Sequence, residues 1–156
     1  MKTSRVYADT SVFGGIYDDE FKQPSLTFFE QVKSGQFALV TSAVVQDEMV
    51  AAPPTVKRFF EELLGFAEVA DITDNALDLR DAYLQAKIVT PKYSDHALHV
   101  ALATVTGCTL IVSWNFQHIV HFQKIPLYNA VNVLRGYQPI AIFSPREVIR
   151  YEDEEI

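Results

Sequence analysis

The sequence predicts an α/β domain in which helices cover both faces of a central parallel sheet, a three-layer α/β/α sandwich. Apolar runs of strand length alternate along the chain with longer segments of helical periodicity, which is typical of βαβ units. The runs are almost continuously apolar, as expected of strands that are buried on both faces. Polar residues such as Asp9 and Asn115 follow these runs, where open α/β sheets place their sites.

Local signals place the elements in order along the chain. Strands are predicted over residues 5–8, 37–41, 68–72, 109–113 and 140–143. Helices are predicted over residues 24–33, 42–51, 55–64, 74–87, 94–107 and 126–136, with short helices after residue 9 and from residue 145. The helix starts carry hydroxyl side chains that can cap free backbone N–H groups: Thr10 or Ser11, Ser42, Thr73 and Ser94. Gly35 and Gly107 stand where helices end.

Length and composition predict one domain over residues 1–150 and an acidic tail over residues 151–156. The chain has 156 residues, of which 49% are hydrophobic and 21% charged, as is typical of globular proteins. A chain of this size buries roughly 70% of its unfolded surface and needs no disulfide or structural zinc to fold. Cys108 is the single cysteine, so it can form no internal disulfide, and this usage suits a reducing cytoplasm.

The net charge of −7 argues at first against a nucleic-acid partner, because phosphate contacts favour Lys and Arg. Four of the acidic residues, however, lie in the terminal segment 152–155. An acidic metal site also lowers the net charge, and its bound cation reverses the local field. We find no signal peptide and no apolar run near the roughly 20 residues of a membrane helix, so we expect a cytoplasmic protein without membrane contact.

Oxygen-bearing side chains are predicted to collect at the carboxyl ends of the strands. Asp9 follows the first strand, Glu48 lies in the helix after the second, and Asp95 lies in the first turn of the helix that leads to strand 109–113. Neighbouring carboxylates repel one another unless a cation lies between them, and Mg²⁺ or Mn²⁺ prefers oxygen ligands. Taken singly, each residue also has an ordinary structural role, such as a turn, a solvated helix face or a helix cap.

Four ordered motifs resemble those of the PIN domain family. They are VYADTSVF (residues 6–13), SAVVQDE (42–48), DHALHVALA (95–103) and LIVSWNF (110–116). The segments YNAVN (128–132) and SPREV (144–148) resemble those of a bacterial PIN subgroup, the VapC-type toxins. The resemblance implies a PIN-like sandwich that cleaves RNA with Mg²⁺ or Mn²⁺. It also implies a homodimer that is inhibited by a small antitoxin protein.

The motif match carries the family's site onto individual residues. Asp9, Glu48 and Asp95 would be the catalytic carboxylates that hold the metal, and Asn115 would support the site or a metal-bound water. Supporting positions are Thr10 or Ser11, which would orient Asp9, together with Ser113, His99 and His118. The expected reaction is hydrolysis of a phosphodiester, in which the metal lowers the pKa of a bound water and a carboxylate accepts its proton.

The fourth motif departs from the family pattern. Many members carry a further Asp at the position of Asn115 or three residues later, where this chain has His118. His118 is either a metal ligand that favours Mn²⁺, or a residue that faces solvent at the start of a short helix, which we favour. His99 is either a partner of the site or a partly buried histidine bonded to a neighbour. Trp114 either stacks on a base or packs into the core, and the sequence does not decide between them.

Two other classes of function remain open from the sequence. One alternative hypothesis is a PIN domain that has no catalytic activity and binds RNA or protein. The missing acid of the fourth motif motivates it. A phosphotransfer domain of haloacid dehalogenase type would need a second Asp two residues after Asp9, where Ser11 stands. A receiver domain would need a Lys soon after strand 109–113, and the chain has no Gly-rich phosphate loop.

Overall fold

The protein contains a single five-stranded parallel sheet, described here by a computed structural model that covers residues 3–151. The strands are β1 (Ser4–Ala8), β2 (Phe37–Ser42), β3 (Ala67–Ala70), β4 (Leu110–Val112) and β5 (Ala141–Phe143). Their order across the sheet is β3-β2-β1-β4-β5, and each neighbouring pair is parallel. This arrangement confirms the predicted fold class. The acidic segment 152–156 of the predicted tail lies outside the described residues.

Helices flank the sheet in two groups. They are α1 (Thr10–Gly14), α2 (Lys22–Lys33), α3 (Ala43–Glu48), α4 (Pro54–Leu64), α5 (Asp74–Gln85), α6 (Ser94–Val105), α7 (Ile125–Leu134) and α8 (Pro145–Val148). Helix α5 packs on α6 and α7, whereas α1 packs on α4 and α2 packs on α8. Across the described part of the chain, every helix is too short or too polar to cross a membrane.

Aromatic side chains pack helices α1, α2 and α4 against one another. The ring of Phe13 in α1 stacks on Phe29 of α2 with centroids 4.7 Å apart and meets Phe60 of α4 edge-on at 5.0 Å. All three side chains are buried. Offset and edge-on contacts are the favoured arrangements of aromatic rings. They anchor α1, the helix that directly follows Asp9.

The order in which the chain adds strands to the sheet reverses at β1, because β2 lies on one side of β1 and β4 lies on the other. Ala8 is opposite Val112 in the register, and the backbone N–H of Asp9 donates to the Val112 carbonyl at 3.3 Å. Such a switch point opens a crevice at the carboxyl ends of the strands, where ligands of α/β proteins bind. The topology therefore places Asp9 beside Ser113, although 104 positions separate them in the chain.

Two of the four predicted helix caps are confirmed, and two differ. The hydroxyls of Ser42 and Thr73 accept the N–H groups of Val45 and Ala76, as predicted. The predicted cap by Thr10 or Ser11 is wrong, because Asp9 holds the cap position of α1 and the two hydroxyls bind carboxylates instead.

The start of α6 also differs from its prediction. Ser94 lies inside the helix, since a 3₁₀ turn over Pro91–Tyr93 runs directly into α6 and Tyr93 takes the cap position. The predicted helix 42–51 is divided into α3 and a 3₁₀ turn, Met49–Ala51.

Candidate functional site

Asp9 is a buried carboxylate that two serines hold at the switch point of the sheet. Only 4% of the residue is exposed. The Ser11 hydroxyl donates to Oδ1 at 2.6 Å, and the Ser113 hydroxyl donates to Oδ2 at 2.6 Å. Burial raises the pKa of the Asp9 carboxyl above its usual range, although the charge of His99 and both hydroxyl bonds act in the opposite direction. The site therefore fixes the orientation of a carboxylate whose charge is poorly solvated.

Glu48 lies at the end of α3 and is held from two other elements. Its Oε1 accepts the hydroxyl of Thr10 at 2.8 Å and contacts Nε2 of His99 at 2.7 Å. Burial acts to raise the pKa of Glu48, but the hydrogen bond and charge of His99 and the Thr10 bond outweigh it, so this pKa is lowered. The charge of Glu48 also contributes to the raised pKa of Asp9. The two carboxylates thus lie within electrostatic reach of each other.

A chain of buried hydrogen bonds continues from His99 into the sheet. Nδ1 of His99 lies 2.7 Å from the Tyr7 hydroxyl, which lies 2.8 Å from the Ser42 hydroxyl. Because an ionised Glu48 can only accept, Nε2 of His99 must donate to it. The Tyr7 hydroxyl contacts both Nδ1 of His99 and the Ser42 hydroxyl, so it links His99 to the end of β2. His99 is therefore both a buried, hydrogen-bonded histidine and a partner of the site.

The loop after β4 is hydrogen-bonded to the two serines that hold Asp9. The backbone N–H of Trp114 donates to the Ser11 hydroxyl at 2.9 Å, and that of Asn115 donates to the Ser113 hydroxyl at 2.9 Å. The same hydroxyls that bind Asp9 therefore also fix this loop. Oδ1 of Asn115 accepts the backbone N–H of His118 at 2.9 Å, which closes a turn over residues 115–118.

Asp95 takes no part in the described hydrogen bonds that hold the other two carboxylates. It is exposed in the first turn of α6, and its side chain reaches only to within 4.0 Å of Nε2 of His96. Within residues 3–151, no group of three or more His, Cys, Asp and Glu side chains has the geometry to hold a metal ion. The structure brings Asp9 and Glu48 together with their supporting hydroxyls and His99, and the metal role of the three carboxylates stays a prediction.

His118 is buried, and the expectation that it faces solvent is wrong. Its Nδ1 lies 2.8 Å from Nδ1 of His96, and its ring packs on Tyr93 with centroids 4.0 Å apart. Burial and the charge of His96 lower the pKa of His118. His96 is only partly exposed and is the partner of His118. The contact between the two histidines thus joins α6 to the segment that follows the fourth motif.

Trp114 packs into the protein. Its ring stacks on Phe21 at 4.2 Å, and its Nε1 donates to the buried Ser25 hydroxyl at 2.8 Å. With 6% of the residue exposed, its ring is not open to a nucleic-acid base. The sequence left this question open because a tryptophan after a strand fits either surface or core.

Two contributors were missed from the sequence. Tyr7 was taken only as part of an apolar strand, yet its hydroxyl is the partner of His99. Ser42 was taken only as a helix cap, and it also contacts Tyr7. A usable signal was present for Tyr7, since a tyrosine in a strand buried on both faces requires a hydrogen-bond partner for its hydroxyl.

The sequence matches no protein-family model and no curated protein. Solved structures with the same fold do exist. A chain in the crystal structure of VapBC2 from Rickettsia felis, bound to a DNA fragment from their promoter, aligns with a TM-score of 0.57 and 11% identity, covering 88% of this chain and 96% of that one. A chain in the structure of FitAB bound to an IR36 DNA fragment aligns with a TM-score of 0.56 and 11% identity, covering 94% and 99%. At this identity the likeness is one of fold.

Proposed function

We propose that the protein is a divalent-metal-dependent endoribonuclease that hydrolyses RNA phosphodiester bonds. The observation that carries the proposal is the pair of oriented carboxylates at the switch point of the sheet. Asp9 is buried with both oxygens bound by serine hydroxyls, and Glu48 is held by Thr10 and His99. The four ordered motifs and the fold shared with chains of VapBC2 and FitAB support the same class of enzyme.

The donor chemistry of the site fits Mg²⁺ or Mn²⁺. Among residues 3–151, neither Asp9 nor Glu48 forms an ion pair with Lys or Arg. A buried carboxylate of raised pKa next to a second carboxylate is stabilised in its charged form by a hard cation. Asp9 and Glu48 would hold the ion, with the exposed Asp95 as the third carboxylate of the motif match. When bound, such an ion supplies an activated water and stabilises charge on the phosphate.

The residues of the chain would orient the reaction in distinct ways. Ser11 and Ser113 keep the two oxygens of Asp9 in place, so that the carboxylate needs little reorganisation on binding. Glu48, with its lowered pKa, is charged at neutral pH and can bind a cation without first losing a proton. His99 fixes the rotamer of Glu48 through Nε2.

A cleavage assay with matched variants tests this proposal. The purified protein is incubated with Mn²⁺ and a labelled single-stranded RNA, beside folded Asp9→Asn and Asp71→Asn variants, since Asp71 is an exposed carboxylate that none of the described hydrogen bonds joins to the site. Asp9→Asn should lose more than about 100-fold in rate, because even outer partners of metal ligands contribute 10- to 100-fold. Asp71→Asn should match the wild type. Equal cleavage by wild type and Asp9→Asn would contradict the proposal.

We further propose that this activity is the toxin of a type II toxin–antitoxin pair in the cytoplasm, with a homodimeric toxin and a small antitoxin as partner. The support is the resemblance to VapC-type toxins and the fold shared with chains of the VapBC2 and FitAB assemblies. Co-expression with the product of an adjacent small reading frame should give a co-purifying complex and relieve growth arrest. Arrest that such a neighbour does not relieve, or no arrest at all, would count against it.

A second candidate is a binding module of the same fold without catalysis. The fourth motif favours it, because Oδ1 of Asn115 accepts the backbone N–H of His118 and His118 itself is buried against Tyr93 and His96. That motif therefore presents no carboxylate. Absence of both Mn²⁺ binding and RNA cleavage in a folded wild-type protein would select this candidate.

A further inference from the structure

An aromatic ring stands open beside the candidate site. Phe116 follows Asn115 in the loop after β4, and 48% of the residue is exposed. Ser113, three residues earlier, is bonded to Asp9, so the intervening chain can span at most about 11 Å. Phe116 thus lies within reach of a nucleotide whose phosphate is held at Asp9.

The ring is mounted on a rigid base. Phe116 meets Trp114 at 6.1 Å and Phe21 at 6.2 Å between ring centroids, and Phe21 and Trp114 are themselves stacked. Trp114 is further fixed by its bond to Ser25. A ring that is supported on its inner side and open on its outer side loses little conformational entropy when a ligand stacks on it.

A cation lies on the same aromatic cluster. The guanidinium carbon of Arg146, from α8, is 5.6 Å from the centroid of the Trp114 ring. Arg146 is exposed. The cluster thus combines an open ring, Phe116, with a positive charge on the neighbouring Trp114, and a single nucleic-acid strand binds through aromatic stacking and positive charge together. An apolar peptide would use the ring but would have no need of the cation.

We propose that Phe116 is a stacking site for an unpaired RNA base next to the cleaved phosphate, with Arg146 contacting a neighbouring phosphate. The proposal rests on the proposed ribonuclease function and adds its substrate class. Bases in a duplex are stacked on one another and are not open to such a ring, so the substrate is single-stranded RNA.

Strand-binding measurements test the stacking site. Fluorescence anisotropy is recorded with labelled oligoadenylate and with an abasic ribose-phosphate strand of equal length, in EDTA so that no strand is cut and again with Mn²⁺. Phe116→Ala should weaken oligoadenylate binding by about 5- to 100-fold and leave the abasic strand unchanged. Phe116→Trp should retain binding. Phe122→Ala, at a phenylalanine that is 91% exposed, is the matched control and should behave as the wild type.

The possible outcomes separate this proposal from the one it rests on. Unchanged oligoadenylate binding by Phe116→Ala, equal weakening of both strands, or no oligoadenylate binding by the wild type would each overturn the stacking site. RNA cleavage by the wild type would leave the ribonuclease proposal intact in each of those cases. Conversely, Phe116-dependent binding without Mn²⁺-dependent cleavage would keep the stacking site and remove the nuclease.

Discussion

At the scale of single residues, Asp9 and Glu48 are two carboxylates whose surroundings shift their pKa values in opposite directions. Asp9 is almost completely buried, and burial dominates over the hydroxyl bonds and the charge of His99. Glu48 is more exposed, and the bond and charge of His99 together with the Thr10 bond outweigh the effect of burial on its pKa. Burial disfavours the charged form of a carboxylate, whereas a hydrogen bond to that form favours it. The metal-free protein therefore holds one poorly solvated carboxylate beside a well-satisfied one.

The raised pKa of Asp9 predicts a pH-dependent gain in stability for Asp9→Asn in the metal-free protein. The folded state binds the Asp9 proton more tightly than the unfolded state, whose carboxyl has its ordinary value of 3.8. The contribution of Asp9 to stability is therefore full below that value and is lost as the pH rises through the raised folded pKa. Asn cannot ionise, so the variant should gain stability relative to the wild type between acid and neutral pH.

Urea unfolding of both proteins across this pH range measures the difference. Glu48 titrates in both proteins, so its opposite pH dependence largely cancels in the comparison. A stability difference that does not change with pH, or that favours the wild type as the pH rises, would contradict the assignment of a raised pKa to Asp9.

His99 is expected to affect both stability and Mn²⁺ affinity through its contacts with Tyr7 and Glu48. His99→Ala removes one of the two hydrogen-bond partners of the Tyr7 hydroxyl and one of the two partners of Glu48, and should destabilise the protein by about 1–3 kcal/mol. Since His99 orients a candidate ligand, Mn²⁺ affinity should also fall about 10- to 100-fold. Calorimetry and urea unfolding measure the two effects, with His121→Ala as a control at a partly exposed histidine. A destabilised variant with unchanged Mn²⁺ affinity would make His99 purely structural.

At the scale of elements, the site depends on a joint between the loop after β4, the turn after α1 and helix α2. Trp114 belongs to the loop, Gly15 to the turn and Ser25 to the helix, and the three meet in one buried contact. Because the same loop carries the hydroxyl of Ser113 to Asp9, packing at this joint positions the carboxylate. The packing of Trp114 in the fourth motif therefore affects the position of Asp9 in the N-terminal motif.

Two adjacent glycines give a matched test of this joint. A Cβ at Gly15 would lie 2.5 Å from the Ser25 hydroxyl and 2.9 Å from Nε1 of Trp114, so Gly15→Ala should destabilise by about 1–3 kcal/mol. A Cβ at Gly14 would meet nothing within 4 Å, and Gly14 is helical, so Gly14→Ala should stabilise by about 0.4–1 kcal/mol. Urea unfolding followed by the fluorescence of Trp114, the single tryptophan, measures both. Effects of the same sign would contradict the close packing at Gly15.

At the scale of the whole molecule, a parallel sheet with a switch point collects polar groups from distant parts of the chain at one edge. The order β3-β2-β1-β4-β5 places β1 between β2 and β4, so the residues after these strands converge. A cation that binds only this folded arrangement must stabilise the whole fold by mass action.

Mn²⁺ should therefore raise the melting temperature of the protein. At 100 times the dissociation constant the gain is about 2.7 kcal/mol, and each kcal/mol raises Tm by roughly 2–4 °C at this chain length. The shift should vanish in Asp9→Asn and persist in Asp71→Asn, and it should shrink in Asp95→Asn if the exposed Asp95 joins the ion. Differential scanning calorimetry with and without Mn²⁺ measures it, and an equal shift in Asp9→Asn would indicate binding elsewhere.

The sequence predicted the elements of the fold more completely than it predicted the surroundings of the site residues. The five strands and the long helices were predicted to within a few residues, because apolar periodicity and local caps such as Thr73 act over one or two turns. The environments of His118, His96 and Trp114 were not predicted, since each depends on a contact with a distant segment. Thr10 and Ser11 were misassigned as caps because their hydroxyls bond more favourably to carboxylates than to backbone N–H groups.

The sequence by itself determined the α/β class, the order of the elements and which polar residues follow the strands, because these properties are local. Only the tertiary structure decided that Asp9 and Ser113 bond across the switch point, that His99 joins Glu48 to Tyr7, and that Asp95 is exposed beside His96. The physical reason is that burial and long-range hydrogen bonds arise when strands distant in sequence become neighbours in the sheet. Side-chain periodicity contains no information on which neighbour a given polar atom will meet.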